Sequence, residues 1–576
     1  MCGVIETVHS LLRLSPNSRD HAFHIERLSL SHRLDFLAQV VPPDTPGVLE
    51  LFREVDECRL AALAITLGVN PTGAQDELQD PGLVRERSFL PVRAKGLGLT
   101  RTADIAHSAF CGSVELVLPR FPEATDEHGI PVSGSGLFPN LVAVVGNRFN
   151  ETVNRYSAFI DSGASLGRSC ELSWECMREE AEARPGTVFW PAAAAAPGRP
   201  QEEDEYLPQR RNKRPGLQHL CTRALARVRA EKVNRRMLQL PPDDQRSIAW
   251  DFASAAATFA TLPSASTSLR AQEFSSAVAI FLGIKDPHVV AAVATMGEGP
   301  FFFQDSQALR SLDPFGNALS LFMGAGHGRT AFHNAVQHEL AYLARAVGAT
   351  LVETPSDLFL SEISPHKRDV YARRLQNQAR ARDGDFRGAL LPDLYDPVSR
   401  IMYDVKTTGM KTEPYIARRS VVNEKAGTVP AQYRRRAIQA DREYNDTPVG
   451  TVGPVEAKLA SMAPVECFSV GAFEETNSAV STFLEFLAEK GSDRPARFGC
   501  CHGKEQARGV VAQFLSRRLG RVLLRGTVRL RHRALEATVL PGPPPSAHKG
   551  FAEATFNEWD AGYDSWVPPP GDPPAA

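Results

Sequence analysis

The stretch LLPDLYDPVSRIMYDVKTT, residues 390–408, carries acids and a lysine around a turn signal. Asp396, the proline that follows it and Ser399 are typical turn residues, so the flanking segments are predicted to pair as antiparallel strands. Because side chains alternate along a strand, Asp404 and Lys406 share one face of the second strand. The spacing therefore predicts a hairpin with a charged face.

Asp393 stands at the end of the first strand and can reach across to Asp404 and Lys406. Two carboxylates can hold a hard divalent cation, commonly Mg²⁺, against a phosphodiester. A lysine beside them can orient or deprotonate the attacking water. Glu339, on a preceding helix, is a candidate third carboxylate. The pattern favours a metal-dependent nuclease site, although an acid and a lysine on one strand are also typical of an ordinary solvent-exposed hairpin.

The elements around this hairpin can also be predicted. Residues 331–347, AFHNAVQHELAYLARAV, place apolar side chains on one stripe and precede Gly348, which predicts a helix. Glu339 lies at the margin of that stripe and is expected to face the sheet. Short extended runs follow, and an apolar run at 464–473 precedes another helical pattern. Helices and strands thus alternate over residues 331–490, which indicates one α/β unit.

The chain has 576 residues, which is too long for one hydrophobic core and predicts about two to four domains. Its net charge of −2 does not exclude a nucleic-acid partner, because basic residues cluster locally. Nine cysteines without dense spacing predict a reducing compartment rather than a disulfide scaffold. Neither a signal-peptide pattern nor a run of about 20 apolar residues is present. The expectation is an intracellular protein, nuclear or cytoplasmic, with no membrane partner.

Two arginine-rich stretches are candidates for contact with nucleic-acid phosphates. Residues 210–236 hold ten Arg or Lys against one acid, and residues 434–436 are three successive arginines. An ordinary solvated helix face explains either stretch equally well. The candidate phosphate-binding residues are Arg210, Arg211, Lys213, Arg214, Arg434, Arg435 and Arg436.

The segments FHNAVQHELAYLARAVGATLVETPSDL, LLPDLY and YDVKTT, in this order, resemble the restriction-enzyme-like endonuclease found at the C-terminal end of non-LTR retrotransposon reverse transcriptases. That endonuclease belongs to the PD-(D/E)xK superfamily. His333 and Asn334 match the His-Asn pair that opens the family's helix, and both are expected to be structural. Asp393, with the proline before it, matches the Pro-Asp of the first strand. Asp404 and Lys406 match the second acid and the lysine.

The resemblance extends upstream. HRLDFLAQVVPPD and LPVRAKGLGLTRTADIAHSAFCGSVELVLP look like the thumb of such proteins, and Thr102 is a candidate cap for a helix there. The implied fold is mixed: an α-helical N-terminal thumb-like domain and an α/β restriction-endonuclease-like domain with a mixed central sheet. The implied divisions are a thumb-like region at 1–150, a linker with a basic helical segment at 151–245, a helical connector with a degenerate zinc-knuckle region at 246–330, the endonuclease-like domain at 331–490, a basic C-terminal element at 491–538 and a Pro-rich disordered tail at 539–576.

Two features depart from the family. Its zinc knuckle needs about four Cys or His ligands, whereas the corresponding stretch, residues 301–330, has no cysteine and one histidine. Zinc is therefore not expected. An aromatic-x-Asp-Asp polymerase signature is also missing, so the chain is not expected to synthesise DNA by itself.

The resemblance implies a metal-dependent DNA endonuclease from a truncated retroelement, with Mg²⁺ as cofactor. Asp393, Asp404 and Glu339 would bind the metal, and Lys406 would activate water. The implied partner is DNA, with element RNA as a second possible partner. Two alternatives stay open: a catalytically inactive nucleic-acid-binding remnant of a retrotransposon polyprotein, and a cellular repair or recombination nuclease that shares the superfamily core alone.

Overall fold

The structure is a computed structural model of the chain. It describes residues 18–27, 34–67 without 42 and 44, 81–117, 124–125, 131–132, 217–252, 259, 268–296, 312–321, 328–380, 390–409, 412–493 and 503–539. The chain divides into two compact units, Met1–Leu240 and Pro241–Ala576. Its described part is mostly helical with a small mixed four-stranded sheet, which is compatible with the expected mixed α/β composition. The finer domain boundaries stay predictions.

The first unit is helical in its described part, apart from one short antiparallel strand pair. Its helices are α1 (Ser18–Ile25), α2 (Asp35–Val40), α3 (Val48–Leu67), α4 (Pro81–Ser88), α5 (Thr102–Val117) and α6 (Leu217–Gln239), and its strands are β1 (Ala124–Thr125) and β2 (Pro131–Val132). The side chains of Ala38, Phe52, Ala106 and Ala109 join α2, α3 and α5 in one apolar cluster. Small residues on α5 allow this close helix packing.

Helix α5 is capped by a residue distant in sequence. The Asp56 carboxylate accepts the backbone N–H groups of Thr102 and Ala103 at 2.9 and 3.1 Å, and it also accepts a bond from the fully buried Arg59. Thr102 lies inside the helix rather than ahead of it, and its hydroxyl accepts a hydrogen bond from Arg59 at 2.6 Å. The cap expected from Thr102 is therefore supplied by α3, because a carboxylate satisfies two free helix N–H groups at once.

The second unit contains the hairpin. Its helices are α7 (Gln245–Phe252), α8 (Ala271–Leu282), α9 (Pro287–Met296), α10 (Gly328–Ala346), α11 (Arg368–Arg380), α12 (Thr412–Ile416), α13 (Val421–Gly427), α14 (Val429–Tyr444), α15 (Pro454–Ser461), α16 (Ser478–Ser492) and α17 (Lys504–Val539). Helix α10 confirms the helix predicted for residues 331–347, and Gly348 follows it with φ of 80°. That left-handed conformation suits glycine and ends the helix.

Four strands form the sheet, in the order β3 (Val352–Glu353), β4 (Leu394–Asp396), β5 (Ile401–Thr407) and β6 (Glu466–Val470). β3 pairs with β4 and β4 with β5 antiparallel, whereas β5 and β6 are parallel. Strand β5 is rich in β-branched and aromatic residues, which favour a pleated surface that is buried on both sides. The sheet is therefore mixed, and the hairpin strand β5 is interior to it.

Helices cover both faces of this sheet. Tyr403 and Val405 of β5 pack into one apolar cluster with residues of α10, α16 and α17. Met402, on the opposite face of β5, packs with Tyr433 of α14 and with residues of α11. This arrangement confirms the predicted alternation of faces along β5. It also excludes a solvent-exposed hairpin, because both faces of the second strand are covered.

The C-terminal helix α17 runs for 36 residues against α10 and α16. At its crossing with α10, a Cβ atom on Gly526 would lie 2.1 Å from a ring carbon of Phe332, so glycine is needed for the close approach. No single described helix has the length and apolar composition of a membrane span, although Ala271–Leu282 and Pro287–Thr295 pass that test as a pair bent by 107°.

Candidate active site

The hairpin turn is built as its sequence predicts. Asp396 accepts hydrogen bonds from the Val398 N–H at 2.9 Å and from the Ser399 hydroxyl at 2.6 Å, and both lie in the loop that joins β4 to β5. Arg400 completes the reversal with φ of 58°. The Asp396 carboxylate thus accepts hydrogen bonds from loop groups that have no strand partner. These bonds fix the turn, and the turn sets the register of the two strands.

That register places the two aspartates opposite each other. Leu394 pairs with Tyr403, and one further step along the antiparallel ladder brings Asp393 opposite Asp404. Alternation puts both aspartates on the face away from Leu394 and Tyr403. Directly opposed residues have Cβ atoms about 4.5–5.5 Å apart, so their side chains share one space.

Asp393 is held from two directions. Its Oδ2 accepts the Val405 N–H at 2.6 Å and lies 3.1 Å from His333 Nε2. Its backbone carbonyl accepts bonds from the Gln337 amide at 2.7 Å and from the Thr354 N–H at 2.9 Å. Burial raises the pKa of the Asp393 carboxyl, but nearby cations and the N–H donor outweigh burial, so its pKa is lowered from the ordinary value. Asp393 is therefore ionised at neutral pH.

Asp404 has a different environment. Its side chain is 4% exposed; Oδ1 accepts a hydrogen bond from the Tyr433 hydroxyl at 3.0 Å, and Oδ2 contacts the Lys406 ammonium. Burial raises the pKa of the Asp404 carboxyl, Lys406 lowers it and Asp393 raises it further, with a net rise above the ordinary value. Asp404 is thus paired with Lys406, as Asp393 is with His333.

His333 and Lys406 are the cations nearest to the two acids. The side chain of Lys406 is 25% exposed and that of His333 is 24% exposed, so the site opens to solvent on their side. Burial lowers the pKa of the His333 imidazole, but Asp393 outweighs burial and raises it. The structure thus brings together His333, Asp393, Asp404 and Lys406. Asn334 contacts this group because its Oδ1 accepts a hydrogen bond from His333 Nδ1 at 3.3 Å.

Glu339 has another partner. Its carboxylate is fully buried and binds the guanidinium of Arg518 on α17. Gln337 faces Asp393. Glu339 follows it by two residues, which is a rotation of about 200° around the axis of α10, so Glu339 lies on the other side of the helix. The structure therefore corrects the role expected for Glu339: the packing of α17 on α10 gives its charge a buried partner away from the hairpin.

The three successive arginines of α14 differ in their contacts. Arg434 binds Glu456 at 3.1 Å while its side chain stays 73% exposed. Arg435 is exposed, and Arg436 lies over the Tyr433 ring, 5.7 Å from its centroid. Their contact with nucleic acid stays a prediction. The remaining candidate phosphate contacts, Arg210, Arg211, Lys213 and Arg214, lie outside the described residues.

The two aspartates fit a hard cation. Asp404 Oδ2 is buried against the Lys406 ammonium, in the hairpin position opposite Asp393. Asp393 uses Oδ2 for both of its side-chain contacts, with Val405 and His333. Oxygen donors of this kind suit Mg²⁺. Within the described residues, no group of three or more His, Cys, Asp and Glu side chains is placed to hold a metal. The fit rests on two carboxylates.

Sequence reasoning missed two residues of this site. Gln337 is one helical turn after His333, so a stripe of polar residues on α10 could have indicated it. Tyr433 occupies an apolar position of α14, in line with Val429, Ala437 and Ala440, and there it looks like an ordinary core residue. Its contact with Asp404 depends on how α14 packs on the sheet, which no local pattern reports.

No family model and no curated protein matches this sequence. The retrotransposon assignment therefore rests on the residues that carry the resemblance.

Proposed function

We propose that the second unit is a metal-dependent endonuclease that cleaves DNA phosphodiester bonds. One observation carries the proposal: Asp393 and Asp404 lie opposite each other in the hairpin, with Lys406 on the same face. Both acids lie in one space beside Lys406 and His333. Their carboxylate oxygens are ligands of the kind that a hard divalent cation prefers.

When bound, Mg²⁺ would polarise the phosphate and lower the pKa of a coordinated water. Asp393 and Asp404 would hold the ion through their carboxylate oxygens. His333 and the Val405 N–H keep the Asp393 carboxylate oriented and ionised. Lys406 is placed to orient the attacking water and to donate hydrogen bonds to the phosphate oxygen that gains charge.

A plasmid-nicking assay with MgCl₂ tests the proposal. Asp404→Ala and Lys406→Ala are expected to lower the rate by about 10²–10³-fold, the usual loss when an electrostatic group is removed from an active site. Asp396→Asn is the matched control, because it weakens the same hairpin at its turn and leaves the two site acids in place. Equal nicking by wild type and both site variants would refute the proposal.

The resemblance suggests the biological setting, which is part of the proposal: a fragment of a non-LTR retrotransposon polyprotein whose endonuclease nicks target DNA. In that family the nick primes reverse transcription. Purified second unit should then nick duplex DNA without added nucleotides. Cleavage that requires a nucleoside triphosphate would contradict the assignment.

A catalytically inactive nucleic-acid-binding remnant is the second candidate. The pairing of Glu339 with Arg518 favours it, since one of the three expected metal ligands is occupied elsewhere. Salt-sensitive binding of DNA or RNA, without nicking in Mg²⁺ or Mn²⁺, would support the remnant over the enzyme.

A further inference from the structure

Tyr433 connects α14 to strand β5 and to the segment that precedes β4. Its side chain is 1% exposed, among apolar residues that pack on the sheet. Its hydroxyl lies 3.0 Å from Asp404 Oδ1 and 3.3 Å from the backbone carbonyl of Leu391. Leu391 precedes Asp393 by two residues. One buried hydroxyl therefore contacts the strand that carries one acid and the segment that leads to the other.

The hydroxyl has one proton to donate, and the shorter contact is with the carboxylate. A phenol has an ordinary pKa of about 10, so at neutral pH the Tyr433 hydroxyl carries its proton and can donate it. A hydrogen bond to a charged acceptor is about twice as strong as one between neutral groups. With Oδ1 bound in this way, the planar carboxylate turns Oδ2 towards Lys406.

We propose that Tyr433 is a positioning residue for the metal-binding pair, because its hydroxyl fixes the orientation of the Asp404 carboxylate. This inference rests on the proposed function. It adds a group outside the hairpin, on a helix whose next two residues are exposed arginines. Tyr433 would act through Asp404 rather than on the ion itself.

The same helix provides a matched control. Tyr444 is also buried in the apolar cluster that contains Tyr433, and its hydroxyl accepts a hydrogen bond from Arg374 at 2.9 Å. Replacing either tyrosine with phenylalanine removes one hydroxyl and keeps the ring packing. If both variants lose metal affinity, the cause is general damage to α14. If only Tyr433→Phe loses metal affinity, the cause is the lost contact with Asp404.

The test measures metal binding directly, by titrating MnCl₂ into full-length protein and following free Mn²⁺ by electron paramagnetic resonance. Partners that orient metal ligands typically contribute 10–100-fold in metal affinity. Tyr433→Phe is therefore expected to weaken Mn²⁺ binding by about 10–100-fold, and Tyr444→Phe by less than about threefold. Asp404→Asn identifies the site, since it should abolish this binding. Urea denaturation should show that both phenylalanine variants remain folded.

A nicking assay gives the second readout. Tyr433→Phe should raise the Mg²⁺ concentration at half-maximal rate by a similar factor, while DNA affinity without metal stays unchanged. Equal Mn²⁺ affinity in wild type and Tyr433→Phe, with Asp404→Asn deficient, would overturn this inference and leave the endonuclease proposal intact. Absence of Mn²⁺ binding and nicking in the wild type would overturn both.

Discussion

Helices α14 and α17 both carry runs of arginine, yet they place them in opposite environments. On α14, Arg434 and Arg435 face solvent, and the inward position between the apolar residues is a tyrosine. On α17, Arg521 and Arg531 are each 1% exposed, and others bind acids on neighbouring helices. Those pairs are Arg518 with Glu339 and Arg529 with Glu273.

The difference shows what a cluster of charge means in this protein. A guanidinium buried against a single carboxylate joins two helices and is neutralised there. The hairpin instead gathers two acids, Lys406 and His333 in one space that is partly open to solvent, and the outer face of α14 carries the exposed Arg435. Function is therefore expected on the α14 side of the sheet and structural ion pairing on the α17 side.

The largest effect is expected at the ion pair between α17 and α10. Arg518→Met would leave the fully buried Glu339 without this partner, and breaking a buried pair costs about 3–5 kcal/mol of unfolding free energy. Urea denaturation measures this change. The double variant with Glu339→Gln should recover part of the loss. An Arg518→Met protein as stable as wild type would contradict a structural role for the pair.

The next effect concerns the loop after β6. Burial raises the pKa of Glu475 to about 7. A carboxyl whose pKa is higher in the folded state than in the unfolded state binds protons more tightly when the protein is folded. Its contribution to the unfolding free energy is therefore complete below the unfolded-state pKa and is lost as pH rises through about 7. Unfolding free energy should fall by about 3 kcal/mol between pH 4.5 and 8 on this account. Glu475→Gln should flatten that slope; an unchanged slope would contradict it.

A smaller effect is expected where α17 crosses α10. Gly526→Ala would place a methyl group against the Phe332 ring and should cost about 1–3 kcal/mol. Gly509 lies on the same helix, and a Cβ atom there would have no other atom within 4 Å. Gly509→Ala should therefore stabilise the folded protein by about 0.5–1 kcal/mol. Thermal unfolding of the two variants compares them. Shifts of the same sign would mean that α17 does not pack closely at Gly526.

The smallest effect is expected on the outer face of α14. If Arg435 contacts a DNA phosphate, Arg435→Ala should reduce the salt dependence of binding by about one unit of slope and leave stability unchanged. Arg529→Gln on α17 is the comparison, and it should change stability rather than the salt slope, since Arg529 binds Glu273. Fluorescence anisotropy at several salt concentrations gives the slopes. Identical slopes for wild type and Arg435→Ala would remove Arg435 from the interface.

Much of the fold around the site could be predicted from local pattern. The stripe on residues 331–347 predicted α10, and the turn residues around Asp396 predicted the antiparallel pairing of β4 with β5. Alternation predicted that Asp404 and Lys406 share a face, which their contact confirms. These features depend on residues close in sequence, where backbone geometry decides which side chains meet.

Other features depended on contacts between distant segments. The parallel pairing of β5 with β6 joins Asp404 to Cys467, 63 residues later, and no spacing rule predicts it. Glu339 was expected at the hairpin because it lies at the margin of the apolar stripe of α10, where its side chain could face the sheet. The packing of α17, which begins at Lys504, gave it Arg518 instead.

The sequence by itself determined the turn, the two strands that it joins, and the order of acid, acid and lysine along them, because turn chemistry and the two-residue period of a strand act over a few residues. The tertiary structure decided which buried charges are balanced. It paired Glu339 with Arg518, turned Tyr433 towards Asp404 and brought two aspartates together with Lys406 and His333. Electrostatic energy in a protein interior depends on distance and burial, and those are set when helices far apart in the chain pack on the same sheet.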